Sequence, residues 1–242
     1  ATDTAALDTS AAITVSLDDV NSGNVAAAPI TGTTTGVEAG QTVTLQVTDG
    51  TATVTVTAVV NPDGSYSTTA DLSGLADGPL TVTASVSDAA GNPATATDTA
   101  ALDTSAAITV SLDNVNGGNA AAAPITGTTT GVEAGQTVTL QVTDGTATVT
   151  VAAVVNPDGS YNTTADLSGL ADGPLTVTAT VSDTAGNPAT ATDTAALDTT
   201  AAITVSLEDV NGGNVGAAPI TGTTTGVEAG QTVTSQERRG GT

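Results

Sequence analysis

The sequence predicts an all-β chain of antiparallel sandwiches placed end to end. Three observations predict it: a long internal period, a two-residue alternation of aliphatic residues with threonine inside each period, and turn residues between the alternating runs. The period is 95 residues, because Asp8, Asp103 and Asp198 open successive copies of DTSAAITVSL or its near twin DTTAAITVSL. The copies 8–102 and 103–197 differ at only seven positions, among them Asp19 against Asn114 and Thr57 against Ala152. Such near-identity reads as recent duplication, so a residue shared by both copies is not thereby marked as functional. The expected organisation is the end of a preceding repeat at 1–7, complete repeats at 8–102 and 103–197, and a truncated repeat at 198–234. The last eight residues, 235–242, form a non-repeat tail read as an artefact, with a true protein terminus as the alternative. Residues 198–242 lack the sequence for more than half a sandwich and are expected to be partly ordered at best.

Within a repeat the alternation is explicit: Ile13, Val15, Leu17; Val43, Leu45, Val47; Val54, Val56; Tyr66, Thr68, Ala70; Leu80, Val82, Ala84, Val86. Threonine or serine usually fills the positions between. Period two with β-branched residues on the wet side is the pattern of half-buried strands. Turn residues separate the runs at Asn21 to Asn24, Gly36 to Gly40, Asp49-Gly50, Asn61-Pro62-Asp63-Gly64, Asp77-Gly78-Pro79 and Gly91-Asn92-Pro93. Seven strands per repeat follow, the size and rhythm of an immunoglobulin-like sandwich.

Composition narrows the functions. The 242 residues contain no Cys, His, Met, Trp or Phe and carry a formal net charge of -23. The only two basic residues are Arg238 and Arg239, so everything before them is acidic or neutral. Such a surface repels nucleic acid and anionic lipid and favours cations, solvent or neutral partners. No stretch is long and apolar enough to read as a membrane-spanning helix, and no membrane insertion is expected. Without cysteine there is no disulfide framework. The text opens in mid-pattern and reads as a piece of something longer.

Catalysis needs a nucleophile with a base, a metal-bound water or a tuned carboxylate pair. The chain has no His or Cys and no Lys, and its serines and threonines are explained as outer strand faces. Phosphate-cradling and dinucleotide fingerprints are missing. The chain is therefore expected not to be an enzyme. Tyr66 and Tyr161, the only aromatics, read as core plugs or tyrosine corners rather than sugar platforms.

Oxygen ligands remain, and strand parity says where they gather. If the first strand leaves the pole facing the previous repeat, the loops after the second, fourth and sixth strands share that pole. Glu38, Asp63 and Asp88 then lie near Asp8. The other loops gather Asp18, Asp19, Asn21, Asn24, Asp49 and Asp77 at the far pole. Stacking sets Asp18, Asp19 and Asp77 opposite Asp103, Glu133 and Asp183 of the next copy. Hard oxygen donors in that number suit Ca²⁺, while zinc or copper would want His or Cys. The competing reading is that the loops are acidic for solubility or high salt.

The stretch SYSTTADLSGLADGPLTVTASVSDAAGNPATATDTAALDT at 65–104 resembles bacterial immunoglobulin-like repeats of giant surface adhesins, including the extender regions of RTX-type and biofilm-associated proteins. The matching elements are Tyr66 in the fifth strand, LADG before the sixth, the D-x-A-G-N hairpin after it, and an Asp-Thr linker. The chain departs from that pattern in its DTSAA linker, where many relatives have a proline, and in lacking glycine-rich nonapeptide repeats. The resemblance implies calcium at repeat junctions, an extracellular or cell-surface location, neighbouring repeats as partners, and an extender that projects a distal adhesive domain of unknown ligand. The other reading is an accessory or carbohydrate-binding region of a secreted hydrolase. Between Ala94 and Asn116 there is no Gly or Pro, which predicts a stiff junction.

Overall fold

The computed structural model describes residues 8–236. Residues 1–7 and 237–242 lie outside the described residues, and with them the expected end of a preceding repeat, most of the tail, and Arg238 and Arg239.

The first repeat runs β1 (Ala12–Ile13), β2 (Ser16–Leu17), β3 (Ala28–Thr35), β4 (Thr42–Thr48), β5 (Thr53–Val59), β6 (Ser65–Ala70), β7 (Gly78–Ser87) and β8 (Pro93–Leu102). One sheet joins β1 and β2 to β3 and then to β6; the other has the order β5-β4-β7-β8. All these pairings are antiparallel. The second repeat follows the same plan with β9 (Ala107–Ile108), β10 (Ser111–Leu112), β11 (Val115–Asn116), β12 (Ala123–Thr130), β13 (Thr137–Thr143), β14 (Thr148–Val154), β15 (Ser160–Ala165), β16 (Gly173–Ser182) and β17 (Pro188–Asp198). These are immunoglobulin-like sandwiches.

The alternation read from sequence sorts residues between core and solvent. Val43, Leu45 and Val47 of β4 are buried, as are Leu80, Val82 and Ala84 of β7. From the other sheet Leu17, Ile30, Tyr66 and Ala70 meet them. On the opposite side of the β5-β4-β7-β8 sheet, register brings Thr48, Thr53, Thr81 and Thr99 abreast, so the outer face is a field of hydroxyls.

The expected first strand is present in two pieces. Ala12 pairs with Thr35 and Leu17 with Ile30, so the register is unbroken, but the ladder lapses at Thr14. There the Thr14 hydroxyl, rather than its carbonyl, accepts the Thr33 N–H at 3.0 Å. The released carbonyl accepts the Tyr66 hydroxyl. The same exchange at Thr204 and Thr223 occurs in the third copy, where no tyrosine follows. It therefore belongs to the threonine pair, and the tyrosine takes the acceptor that the exchange frees. Tyr66 and Tyr161 are each 1% exposed, as the core-plug reading expects. Glycine at 32 and 127 is needed because a Cβ there would collide with both the phenol and the threonine carbonyl.

After β2 the chain crosses to the other sheet. Val20 bridges Leu102 in parallel, and β11 pairs in parallel with the end of β17 in the second repeat. This crossing was not expected from the pattern, because one or two residues cannot declare a periodicity.

The third copy contributes β18 (Ala202–Ile203), β19 (Ser206–Leu207), β20 (Ile220–Thr221) and β21 (Thr224–Thr225). Its Leu207 is 51% exposed and Ile220 45%, whereas Leu17 and Ile30 are 3% and 0%. In the complete repeats the sheet carrying β4 and β7 covers these positions.

Burial pushes the phenols of Tyr66 and Tyr161 up to about 12 from an ordinary 10. With the folded value raised, this contribution is whole below pH 10 and is lost as pH rises from 10 through 12. The chain should lose thermal stability across that window. The double variant Tyr66→Phe with Tyr161→Phe should start lower at pH 7, by about 1 kcal/mol per lost hydrogen bond. It should then stay flat between pH 10 and 12, as read by melting curves. Gly32→Ala should cost about 1–3 kcal/mol by overpacking.

Candidate functional site at the repeat junction

Strand β8 delivers the chain straight into the next repeat. Val20 N–H donates to the Ala101 carbonyl at 2.8 Å, and Asp103 N–H donates back to the Val20 carbonyl at 2.9 Å. Thr104 then donates through its N–H (3.1 Å) and hydroxyl (2.9 Å) to Asp77 Oδ1, and the Ser105 hydroxyl reaches Asp77 Oδ2 at 3.1 Å. Residues 103–105 are thus tied to the repeat they leave.

Among the described residues, the carboxylates that strand parity assigns to the two poles have hydrogen-bond partners there, Asp18 apart. At the incoming pole of the first repeat, Glu38 Oε2 accepts the Ala89 N–H at 2.8 Å, and Asn92 Nδ2 donates to the Asp8 carbonyl at 3.2 Å. Asp8 Oδ1 accepts the Ser10 N–H at 3.3 Å. Asp88 accepts from Asn92 N–H (2.7 Å) and Asn92 Nδ2 (2.6 Å); the side-chain amide of Asn92 holds its carboxyl below the usual range. At the far pole, Asp19 Oδ1 accepts the Ala101 N–H at 2.7 Å, and Asp18 is exposed.

Across the junction, Asp183 receives Asn187 N–H and Asn187 Nδ2, both at 2.7 Å, and is 5% exposed. Asp103 Oδ1 accepts from Ser105 N–H at 3.3 Å. Glu133 Oε2 accepts the Thr184 N–H at 2.9 Å, the main cause of its lowered pKa. Among the described residues, no three Asp or Glu side chains converge as a metal-holding group. The acidic side chains at these poles offer only oxygen, with no basic side chain in residues 8–236 to offset them. That chemistry fits a hard cation such as calcium and not a metal that prefers nitrogen or sulfur.

Sequence reasoning missed the amides. Asn187 is 2% exposed, and its Oδ1 accepts the Ser22 N–H of the preceding repeat at 2.8 Å. Asn21 Nδ2 donates to the Ala185 carbonyl at 2.7 Å. Both asparagines stand in turn motifs that account for them locally, and nothing in a single turn announces a partner 165 residues away.

Neither a family model nor a curated protein matches the chain. Solved structures do. A tetra-tandem repeat from the extending region of a large adhesion protein is 38% identical, with 89% of this chain and 56% of that one covered and a TM-score of 0.41. A Ca²⁺-stabilized adhesin, by which an Antarctic bacterium reaches out and binds ice, is 29% identical over 88% of this chain and 55% of that one, with a TM-score of 0.46. These are bacterial adhesin repeats. An immunoglobulin-like domain of the M. primoryensis ice-binding adhesin is 28% identical over 40% of this chain and 99% of that domain, with a TM-score of 0.28. The resemblance carried by residues 65–104 points to the same group. The chain spans 56% and 55% of the two longer structures.

The loop bearing Asp77 is itself held by Asp49, whose Oδ2 accepts the Ala76 N–H at 2.9 Å while Oδ1 takes the Thr51 and Ala52 N–H groups at 2.7 Å. These backbone donors hold the Asp49 carboxyl well below the usual range. A depressed folded value means the contribution is whole above the unfolded carboxylate value near pH 4 and is withdrawn as pH falls below it. Asp49→Asn should therefore melt below the parent at pH 7, and the gap should narrow progressively as pH falls below 4. Melting in high salt screens the general charge repulsion that the variant, with one carboxylate fewer, also relieves.

Proposed function

We propose that residues 8–197 form a spacer segment of a bacterial surface adhesin. It would act outside the cell, stiffened by Ca²⁺ at its repeat junctions and projecting a distal adhesive domain. The observation that carries this is the absence of free linker: Leu102 ends β8, and Asp103, Thr104 and Ser105 are already hydrogen-bonded to the first repeat. A connection with no slack transmits orientation from one sandwich to the next. A ten-residue strand such as β8 spans about 33 Å, so each repeat adds a few tens of ångströms and reach scales with copy number.

Asp18, Asp19 and Asp77 of one repeat with Asp103, Glu133 and Asp183 of the next would hold the cation. Asp8, Glu38 and Asp88 would serve the preceding junction. Calcium supplies positive charge that draws carbonyl and carboxylate oxygens together, and the chain supplies no cation of its own here. Ten carboxylates and no basic residue in residues 8–102 make folding work against self-repulsion. A cation that recognises only the folded, stacked state adds about 2.7 kcal/mol at 100 times its dissociation constant. Extracellular calcium modules bind at about 0.1 to 1 mM, so they fill outside a cell and empty inside.

Thermal unfolding of the chain in millimolar Ca²⁺, in chelator, and in NaCl of matched ionic strength tests this. The expected result is a midpoint raised by several degrees with Ca²⁺ beyond the NaCl control. An equal rise in both salts would leave an acidic spacer adapted to salt and remove calcium from the proposal.

A further inference from the structure

We infer that a direct, metal-independent clasp centred on Asn187 fixes the second repeat onto the first. This goes beyond the calcium reading and stands whether or not that reading holds.

The Asn187 amide uses both of its ends. Nδ2 donates to Asp183 Oδ2 at 2.7 Å and to the Asp103 carbonyl at 2.9 Å, while Oδ1 accepts the Ser22 N–H at 2.8 Å. The side chain is 2% exposed, so these bonds are shielded from competing water. A second tie lies alongside it, Asn21 Nδ2 to the Ala185 carbonyl at 2.7 Å. Asn21 is held in place for this, because its Oδ1 accepts the Gly23 N–H at 2.8 Å. Two asparagines, one from each repeat, thus reach in opposite directions across the junction.

The clasp needs no cation to be complete. The Asn187 side-chain NH2 lies between the Asp183 carboxylate and the Asp103 carbonyl, where it supplies the positive end of a dipole to two oxygens. The cross-junction donor at position 22 is a backbone N–H, so glycine at the equivalent Gly117 keeps it. In the first repeat Asn92 makes the same bonds to Asp88 and reaches the Asp8 carbonyl. This half of the arrangement is internal to a repeat, and the Ser22 bond is what turns it into a clasp. At the next junction Asn116 and Gly117 line an open groove of about 620 Å³ with Thr199, Thr200 and Glu228. The copy opening at Asp198 has no counterpart of residues 183–187 in this sequence.

The test is a spin-label distance distribution between Thr55→Cys and Thr150→Cys, exposed sites on β5 and β14, in the whole chain with chelator present. No native cysteine competes for label. The parent should give a narrow distribution without calcium. Asn187→Ala and Asn21→Ala should each at least double its width, and the two together should add little more, as members of one clasp. Asn92→Ala, which makes the matching change inside the first repeat, should leave the width unchanged. Should Asn187→Ala disturb its own hairpin, Asn21→Ala reads the same clasp with the second repeat untouched. A parent distribution that is broad in chelator, or widths unmoved by both variants, overturns the clasp. A Ca²⁺-specific rise in melting temperature that is absent while the narrow distribution persists would remove the calcium reading and keep the clasp.

Discussion

Residues 8–236 contain no basic side chain, so among these residues a carboxylate finds its partners among neutral donors. Much of the loop structure follows from that constraint. Asp49, Asp63 and Asp71 each fold back onto N–H and hydroxyl groups two or three residues ahead. Asp77 and Glu38 reach instead to N–H groups of separate loops. A backbone N–H offers direction without a counter-charge, so each carboxylate orders a turn while its charge stays in the field of the whole chain. The poles of each sandwich therefore carry both the carboxylates and the loop hydrogen bonds that they order.

Threonine plays the corresponding part inside the sheets. Its β-branched body suits the pleat and its hydroxyl faces water on the β5-β4-β7-β8 sheet, but at Thr14 and Thr109 the hydroxyl enters the ladder itself. That exchange leaves a main-chain carbonyl for the single aromatic ring of each repeat. The core has no other large side chain than aliphatics, so Tyr66 and Tyr161 contribute bulk and a polar anchor together. Gly32 and Gly127 are the cost, since the ring and the threonine carbonyl occupy the space a side chain would take.

Much of this was legible in the residues. Alternation in β4, β5 and β7 marks the strands because burial on one face of a pleat repeats every second residue, and Asp-Gly and Asn-Pro-Asp-Gly mark the turns. Strand parity alone brought Asp77 and Asp183 to one junction. The parallel crossing at Val20 and Leu102 was not legible, since a bridge of one residue has no period to detect. Nor were the roles of Asn21 and Asn187, whose turn geometry accounts for them locally and whose partners are set only by how two sandwiches stack. The sequence suggested a cluster of ligands; the structure shows the same carboxylates each engaged with its own N–H or hydroxyl donor, Asp18 apart, which has no hydrogen bond among the described residues.

The parallel bridge between Val20 and Leu102 bears on how the chain answers a pull. Tension enters each sandwich at its first residue and leaves at its last, and these lie at opposite poles. The segment at Val20 is then drawn toward one end while β8 is drawn toward the other, along nearly the same line. The bonds from Val20 N–H to Ala101 and from Asp103 N–H to Val20 are therefore loaded together in shear rather than opened one at a time. Because Thr104 and Ser105 are bonded to Asp77 just beyond the bridge, load leaving one sandwich passes into the next beside the two bonds that hold Val20 to β8.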